Sequence, residues 1–396
     1  MLKEMPNVLT KAMQGDAVSL AQALVATPSV NPGLENTGSG EKEIASLVAG
    51  WLEEWGASVQ VSEPAPDRYN VLGYIGEESP EKILLLNGHL DTVGVEGMTI
   101  DPFGAQLEGG KLRGRGSCDM KGGVAAILSA AFFLAQNKPE HGAVCVALTA
   151  DEEHASLGMQ GLLENGLWAD GAIVCEPTNL AIMPSHKGFM WLEVLFTGNA
   201  AHGSRPDVGV DAVEHAGQYL SRLTELRESL ESRKRHPLLG HASFHAGTIK
   251  GGSAPSVYPA VCKLLLERRT LPGEEHNAVM KEFQSILQSM KEENPEINAT
   301  LRETLIRSAT EVESSSTLVE GLGEACRLLK TGAPIEGMTA WVEASFLNEA
   351  GIPAVCFGPG SIGQAHSDDE WVDTREIEQC ARVLEVFARD FLERKN

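Results

Sequence analysis

Four short apolar runs, spread over most of the chain, each give way within a few residues to histidine, aspartate or glutamate. Residues 83–86 lead to His89 and Asp91, and residues 144–148 lead to Asp151, Glu152 and Glu153. Residues 172–175 run directly into Glu176, and residues 352–357 pass through Gly358-Pro359-Gly360 to His366. A brief, continuous apolar run bounded by turn signals reads as a strand buried on both faces, as in a parallel sheet between layers of helices. In an open sheet of that kind, ligands collect in the crevice beyond the carboxyl ends of the strands. The recurrence therefore predicts one shared site at one end of one sheet.

Composition narrows the class. With 396 residues, of which 42% are hydrophobic, the chain has material for two or three domains and a sizeable core. A net charge of -23, from 55 acidic and 32 basic residues, argues against nucleic acid or an anionic membrane as partner, because long-range repulsion opposes both. Residues 1–15 carry Lys3, Glu4 and Lys11 and lack an apolar centre, so no signal peptide is expected. The nearly uncharged stretch 122–136 is too short and too rich in glycine and alanine for a membrane span and reads as a buried helix. Seven cysteines, none in Cys-x-x-Cys spacing, suit a reducing, cytoplasmic setting and neither a disulfide framework nor a cysteine-ligated zinc.

The pattern changes twice along the chain. Up to about residue 185, helical stretches such as 17–27 and 41–55 alternate with short β-rich runs, which predicts a mostly parallel mixed sheet flanked by helices, the α/β class. Between residues 187 and 302 the order becomes strand (189–196), helix (210–231), strand (241–249), strand (261–268) and helix (275–294), a compact α+β insertion. The serines at 314–316 suit a helix cap, and a helix to residue 329 and the strand at 352–357 then resume the first pattern. Segments 1–186 and 303–396 are thus expected to form one domain, interrupted by 187–302.

Taken singly, each polar residue has an ordinary reading. His89 and Asp91 stand two apart, a spacing at which a carboxylate reaches the ring nitrogen that a ligating histidine leaves free; it equally suits a structural pair. Asp119, between Gly114-Arg115-Gly116-Ser117-Cys118 and Met120-Lys121-Gly122-Gly123, could cap the following helix. Glu152 and Glu153 read as a solvated loop edge, Glu176 before Pro177 as a turn residue and His366 as a loop histidine. Their combination changes the reading. If the strands pair, Asp91, Asp119, Glu152, Glu153 and Glu176 converge, and so many carboxylates do not stay ionised together without cations. Histidine with carboxylate suits zinc, with manganese or cobalt as alternatives, and two ions about 3.5–4 Å apart need a shared ligand.

These residues resemble a known family, the metallopeptidase-like amidohydrolases that include acetylornithine deacetylase, succinyl-diaminopimelate desuccinylase, aminoacylase and glutamate carboxypeptidase. The resemblance runs over nearly the whole chain. It rests on Asn87-Gly88-His89-Leu90-Asp91-Thr92-Val93, residues 114–123, residues 149–153, Cys175-Glu176-Pro177, Ala201-His202-Gly203 and residues 358–370. It implies a zinc-exopeptidase-like domain with two Zn2+ per chain: His89 and Glu176 on one ion, Glu153 and His366 on the other, and Asp119 bridging. It further implies Asp91 as the partner of His89 and Glu152 as general base to a hydroxide bridging the metals. Spacing alone leaves open which of the adjacent glutamates ligates.

The resemblance also gives the insertion a part, as a lid and dimerisation domain. His202 matches a histidine that donates to the developing oxyanion, often from a partner subunit, where without the resemblance it reads as a loop histidine. Arg269 matches an arginine for the substrate carboxylate, for which a guanidinium fork is well shaped; its ordinary reading is an exposed charge at a strand end. Ser256, in a loop resembling a substrate-binding segment, stands where the family more often has asparagine. The implied activity is hydrolysis of the amide of an N-acyl amino acid, acetylornithine deacetylase-like because residues 358–362 with Gln364-Ala365-His366 and Glu370 look most like that branch. A dipeptidase or exopeptidase of the same family, or an inactive metal-binding homologue, are the alternatives. The expected partners are a small N-acyl amino acid or short peptide and a second copy of the chain.

Overall fold

The computed structural model describes residues 5–332 and 334–394, so the first four residues of the amino-terminal stretch read above lie outside the described residues. The chain divides into two compact units, one of Met1–Pro184, Val312–Glu336 and Val342–Asn396, the other of Ser185–Glu311 and Gly337–Trp341.

In the first unit the strands follow the order Ser58–Ala65, Arg68–Gly76, Ala143–Thr149, Ile83–His89, Gly171–Val174, Ala354–Cys356 and Ile182–His186. The four middle members are the four apolar runs, adjacent and parallel throughout. Antiparallel strands flank them on both sides. Every residue of Ala143–Thr149 is buried, and because successive side chains point to opposite faces, both faces of that strand are covered.

The Gly122–Gln136 helix is apolar on nearly every side, and most of its residues are buried; it packs against the Ala17–Val25 and Thr374–Glu393 helices. Such all-round apolarity marks a core helix here. The Lys42–Glu54 helix instead buries one stripe, Ile44, Val48, Trp51 and Leu52, and packs on the Arg68–Gly76 strand. Ser316 caps the Thr317–Leu329 helix, its side chain accepting from the Val319 N–H. Fully burying one such Leu or Val contributes about 1.5–3 kcal/mol.

The second unit is an antiparallel sheet in the order Ser243–Gly251, Val261–Thr270, Gly188–Thr197 and Asn298–Arg307, with the Ala212–Ser232 and His276–Glu293 helices. Met190, Leu192, Val194 and Phe196, at period two, meet Tyr219, Leu223, Phe283 and Leu287 of the helices in one core. The Asn298–Arg307 strand departs from the expected order, which ended the insertion on a helix. Its sequence, Asn-Ala-Thr-Leu-Arg-Glu-Thr-Leu-Ile-Arg, lies at a sheet edge and carries a bulge between Glu303 and Leu305. Charges mid-strand and a shifted register blur the alternation on which strand recognition depends.

Candidate metal and catalytic site

The parallel register brings the polar ends of the strands together. His89 closes its strand opposite Thr149, and the Ala143–Thr149 strand then runs on to Asp151, Glu152 and Glu153. Asn87 and Cys356 both lie level with Val174, two residues before Glu176. Glycines permit the closest approaches. A Cβ on Gly123 would stand 2.1 Å from the Cys175 carbonyl oxygen, and one on Gly358 would stand 2.5 Å from the carbonyl oxygens of both Cys175 and Glu176.

Asp119 sits between two histidines. His89 Nε2 lies 3.1 Å from Asp119 Oδ1, while His366 Nε2 lies 3.4 Å from Asp119 Oδ2 and 3.1 Å from Glu153 Oε1. One ligand atom each from His89, Asp119 and Glu153 fall within 4.8 Å of one another. The helix-capping reading of Asp119 fails, because the Gly122–Gln136 helix has no side-chain cap. His366 is half-exposed and holds a left-handed backbone, φ 62°, which aims its ring at the carboxylates.

Asp91 behaves differently from the spacing argument. Its carboxylate is 3.8 Å from His89 Nδ1, whereas its backbone carbonyl accepts from Nδ1 at 2.9 Å. The carboxylate serves the neighbouring turn instead, accepting from Asn31 Nδ2 at 2.7 Å and from the backbone N–H groups of Glu152 and Glu153 at 3.0 and 3.2 Å. Asp91 thus partners His89 through its main chain and the two glutamates through its side chain.

This arrangement tests the donor set for a metal. With the Nδ1 proton committed to the Asp91 carbonyl, a neutral His89 presents its Nε2 lone pair to Asp119 Oδ1 across 3.1 Å. Two acceptors at that separation need a proton or a cation between them. Ligand atoms about 2.0–2.1 Å from a tetrahedral zinc stand roughly 3.3 Å apart, so the His89, Asp119, Glu153 and His366 separations fit a divalent ion.

The electrostatics point the same way. Burial raises Glu152 and Glu176 well above the usual carboxylate range, reinforced for Glu176 by the Asp119 charge and for Glu152 by Glu176 and Glu153. Burial and the Asp119 charge also raise Glu153. Hydrogen bonds with Asp119 and Glu153 push His366 up to about 10. Although burial opposes it, hydrogen bonds with His366 and His89 hold Asp119 below the carboxylate range. The cluster accordingly favours added positive charge.

Several supporting residues escaped the sequence reading. Glu343, buried and pushed up to about 8 by burial, accepts from Thr149 Oγ1 at 2.8 Å and leaves its other oxygen without a partner. Arg68, Glu41, Asn31 and Asp151 form a buried network behind the Glu152-Glu153 turn. Arg68 pairs with Glu41, and its Nη1 donates to Asp151 Oδ1 at 2.7 Å and to Asn31 Oδ1 at 3.1 Å. Asp151, the first acidic residue after the 144–148 run, commits its carboxylate to Arg68, to Asn31 and to the Leu157 N–H. A charged residue opening an otherwise uncharged strand is the one available signal for Arg68.

Glu370 braces Asp119 from outside the cluster. It accepts from Arg115 Nη1 at 2.7 Å and from the backbone N–H groups of Gly116, Cys118 and Asp119 at 3.0, 2.9 and 3.1 Å. Glu370→Gln removes the charge opposite Arg115 and one of the accepting oxygens, an expected loss of about 1–3 kcal/mol in urea unfolding, together with weaker metal retention on dialysis. Unchanged stability and metal retention would show that the loop holds Asp119 without Glu370.

The remaining expected site residues lie in the second unit. His202 is exposed, with Nδ1 2.8 Å from Ser204 Oγ, and the loop carrying it bonds to Ser256 through the Gly203 N–H at 2.7 Å. Ser256 is exposed as well. Arg269 donates to the Thr339 carbonyl, and its guanidinium lies 5.5 Å from the centre of the Phe189 ring; burial lowers its pKa.

The profile of peptidase family M20/M25/M40 matches residues 85–390. The chain belongs to this family. Curated relatives include an acetylornithine deacetylase from Myxococcus xanthus, 34% identical over 78% of this chain and 80% of that protein. Another acetylornithine deacetylase, from Proteus mirabilis, is 31% identical over 94% of this chain and 96% of that one. Among solved structures, a tripeptidase from Staphylococcus aureus shares the fold at a TM-score of 0.79 and 20% identity, covering 96% of this chain and 99% of that one. Human carnosine dipeptidase 1 shares it at 0.73 and 16%, covering 98% and 99%. This M20 chain is accordingly a metal-dependent hydrolase of amide bonds, with an α/β fold around a large mixed sheet.

Proposed function

We propose that this chain is a dinuclear deacylase of N-acyl amino acids, most closely of the acetylornithine type, with zinc as its metal. The observation that carries the reading is the two-sided engagement of Asp119, one carboxylate oxygen facing His89 and the other facing His366. In this reading His89 and Glu176 hold one ion, Glu153 and His366 the other, and Asp119 both. Two such ions would polarise the scissile carbonyl and make water a nucleophile near neutral pH.

The chain's own residues do the rest. Glu152, left out of the ligand set, takes the proton from the attacking water as the C–O bond forms, and gives it to the amine nitrogen as the C–N bond breaks. Burial raises Glu152, which suits a group that must both accept and return a proton. Asp91 fixes the Glu152 and Glu153 backbone positions. Arg269 takes the substrate carboxylate in its fork, and His202 donates to the developing oxyanion, an interaction of the kind that affects rate by about 10²–10³. Ser256, whose carbonyl accepts from the Gly203 N–H beside His202, contacts the substrate.

We also infer a homodimer through the inserted unit, supported by its long, exposed edge strand Ser243–Gly251. Cytoplasmic residence is supported by seven free, buried cysteines. The names of the curated relatives favour deacylation; those of the structural neighbours keep peptide substrates open.

Hydrolysis of N-acetylornithine, N-succinyl-diaminopimelate, other N-acyl amino acids and dipeptides, alongside metal content per chain, tests the reading. Dialysis against a chelator is expected to abolish turnover, and zinc, cobalt or manganese to restore it, with about two ions bound. Preference for dipeptides would overturn the deacylase assignment, and turnover that survives complete metal removal would overturn the metal assignment.

A further inference from the structure

The inserted unit contains a cavity of about 370 Å³ that shares no residue with the metal cluster. Leu230, Pro237, Ala242 and Leu271 supply apolar wall. Arg233, Lys234, Arg235, His236 and His241 also line it, against a single carboxylate, Glu274. On a chain of net charge -23, Arg233-Lys234-Arg235 is the only run of three consecutive basic residues.

The local charges do not cancel. Glu274 is occupied by Arg268, whose Nη2 lies at 2.7 Å, and by the Leu271 N–H at 2.8 Å. Arg233 pairs with Glu282 and lies 3.9 Å from Glu274. His236 is turned into its own loop: its Nδ1 accepts from the Leu238 and Leu239 N–H groups, and its Nε2 lies 3.3 Å from Glu311. Lys234 and Arg235 are exposed and have no carboxylate partner among the described residues.

A helix carboxyl end attracts cations, which accounts for Arg233 at the C-cap of the Ala212–Ser232 helix; Lys234 and Arg235 lie beyond that cap. The wall they stand on is preformed, closed by paired backbone hydrogen bonds between His236 and Gly240 and by Lys187 Nζ donating to the His241 carbonyl.

We propose that this cavity binds a small organic dianion with an apolar portion. Lys234 and Arg235 neutralise its two charges, and the apolar walls take the carbon body. Two unmatched cations call for two negative charges, which a phosphate monoester or a dicarboxylate supplies and a monocarboxylate does not.

Calorimetric titration of the purified, metal-loaded protein with phenyl phosphate, succinate and benzoate, at constant ionic strength, tests this. At least one dianion is expected to bind saturably at one site per chain, at least tenfold more tightly than benzoate. Binding should weaken at least tenfold in the Lys234→Gln/Arg235→Gln double variant. The stronger of phenyl phosphate and succinate identifies phosphate ester or dicarboxylate as the ligand. Because Lys234 and Arg235 are exposed, the double variant should match the parent in thermal unfolding without anion and in hydrolysis. Absence of saturable binding by both dianions, or equal binding to parent and double variant, overturns the proposal; the second outcome would assign the anion to another site, the metal cluster included.

Discussion

Glu152→Gln is expected to retain the full metal complement while turnover falls by about 10²–10⁴, the range a positioned general acid–base supplies. Glutamine keeps the volume and the Glu152 backbone N–H that donates to Asp91 Oδ1, so the turn should stand. Only the proton carrier is lost. The neighbouring Glu153→Gln should behave in the opposite sense, because Glu153 Oε1 is the atom 3.1 Å from His366 Nε2: metal content falls, and turnover with it. Metal analysis on both variants beside kcat decides the matter, and the reverse pattern would exchange the two roles.

Arg68→Met is expected to cost about 3–5 kcal/mol in urea unfolding, the range for removing one partner of a buried ion pair. Arg68, Glu41 and Asp151 are all buried, and methionine would leave both carboxylates in the interior without their cation. Arg68→Lys should recover only part of the loss. A single ammonium does not reproduce a fork that reaches Glu41 on one side and Asp151 with Asn31 on the other. Because Asp151 leads directly into Glu152 and Asn31 also holds Asp91, the stability loss should be accompanied by a fall in kcat in excess of any rise in KM. A variant as stable as the parent would mean that the network relaxes around the missing charge.

The parts of this fold that could be read from sequence share a physical cause. Residues 83–86, 144–148, 172–175 and 352–357 are continuous apolar runs because their strands are buried on both faces, and the polar residues that follow mark where the sheet ends. Tolerance of polarity hid the rest. The Asn298–Arg307 strand lies at an edge, where Arg302 and Glu303 meet no penalty and the alternation fades. Identity of residues carried the convergence of His89, Asp119, Glu153 and His366, but not which atoms would meet. A spacing of two between His89 and Asp91 allows either the carboxylate or the carbonyl to reach the ring, and only the path of the backbone decides between them. Arg68 and Glu41 were invisible for a related reason: 27 positions apart, they become a pair only when the Lys42–Glu54 helix packs on the Arg68–Gly76 strand.

The parallel strands that end at the cluster also act as a ruler. Neighbouring strands stand about 4.8 Å apart, a distance fixed by backbone hydrogen bonding and indifferent to the length of the connections between them. The strand ends that lead to His89, Glu152, Glu153 and Glu176 inherit that spacing, and Asp119 and His366 reach the cluster from loops. The second unit begins after Pro184, in the strand that lies beyond Ala354–Cys356, outside the group of four. A unit of more than one hundred residues thus leaves the hydrogen-bonded register of the four parallel strands uninterrupted. A change in the length or sequence of that unit is therefore expected to leave the spacing of those four strand ends as it is.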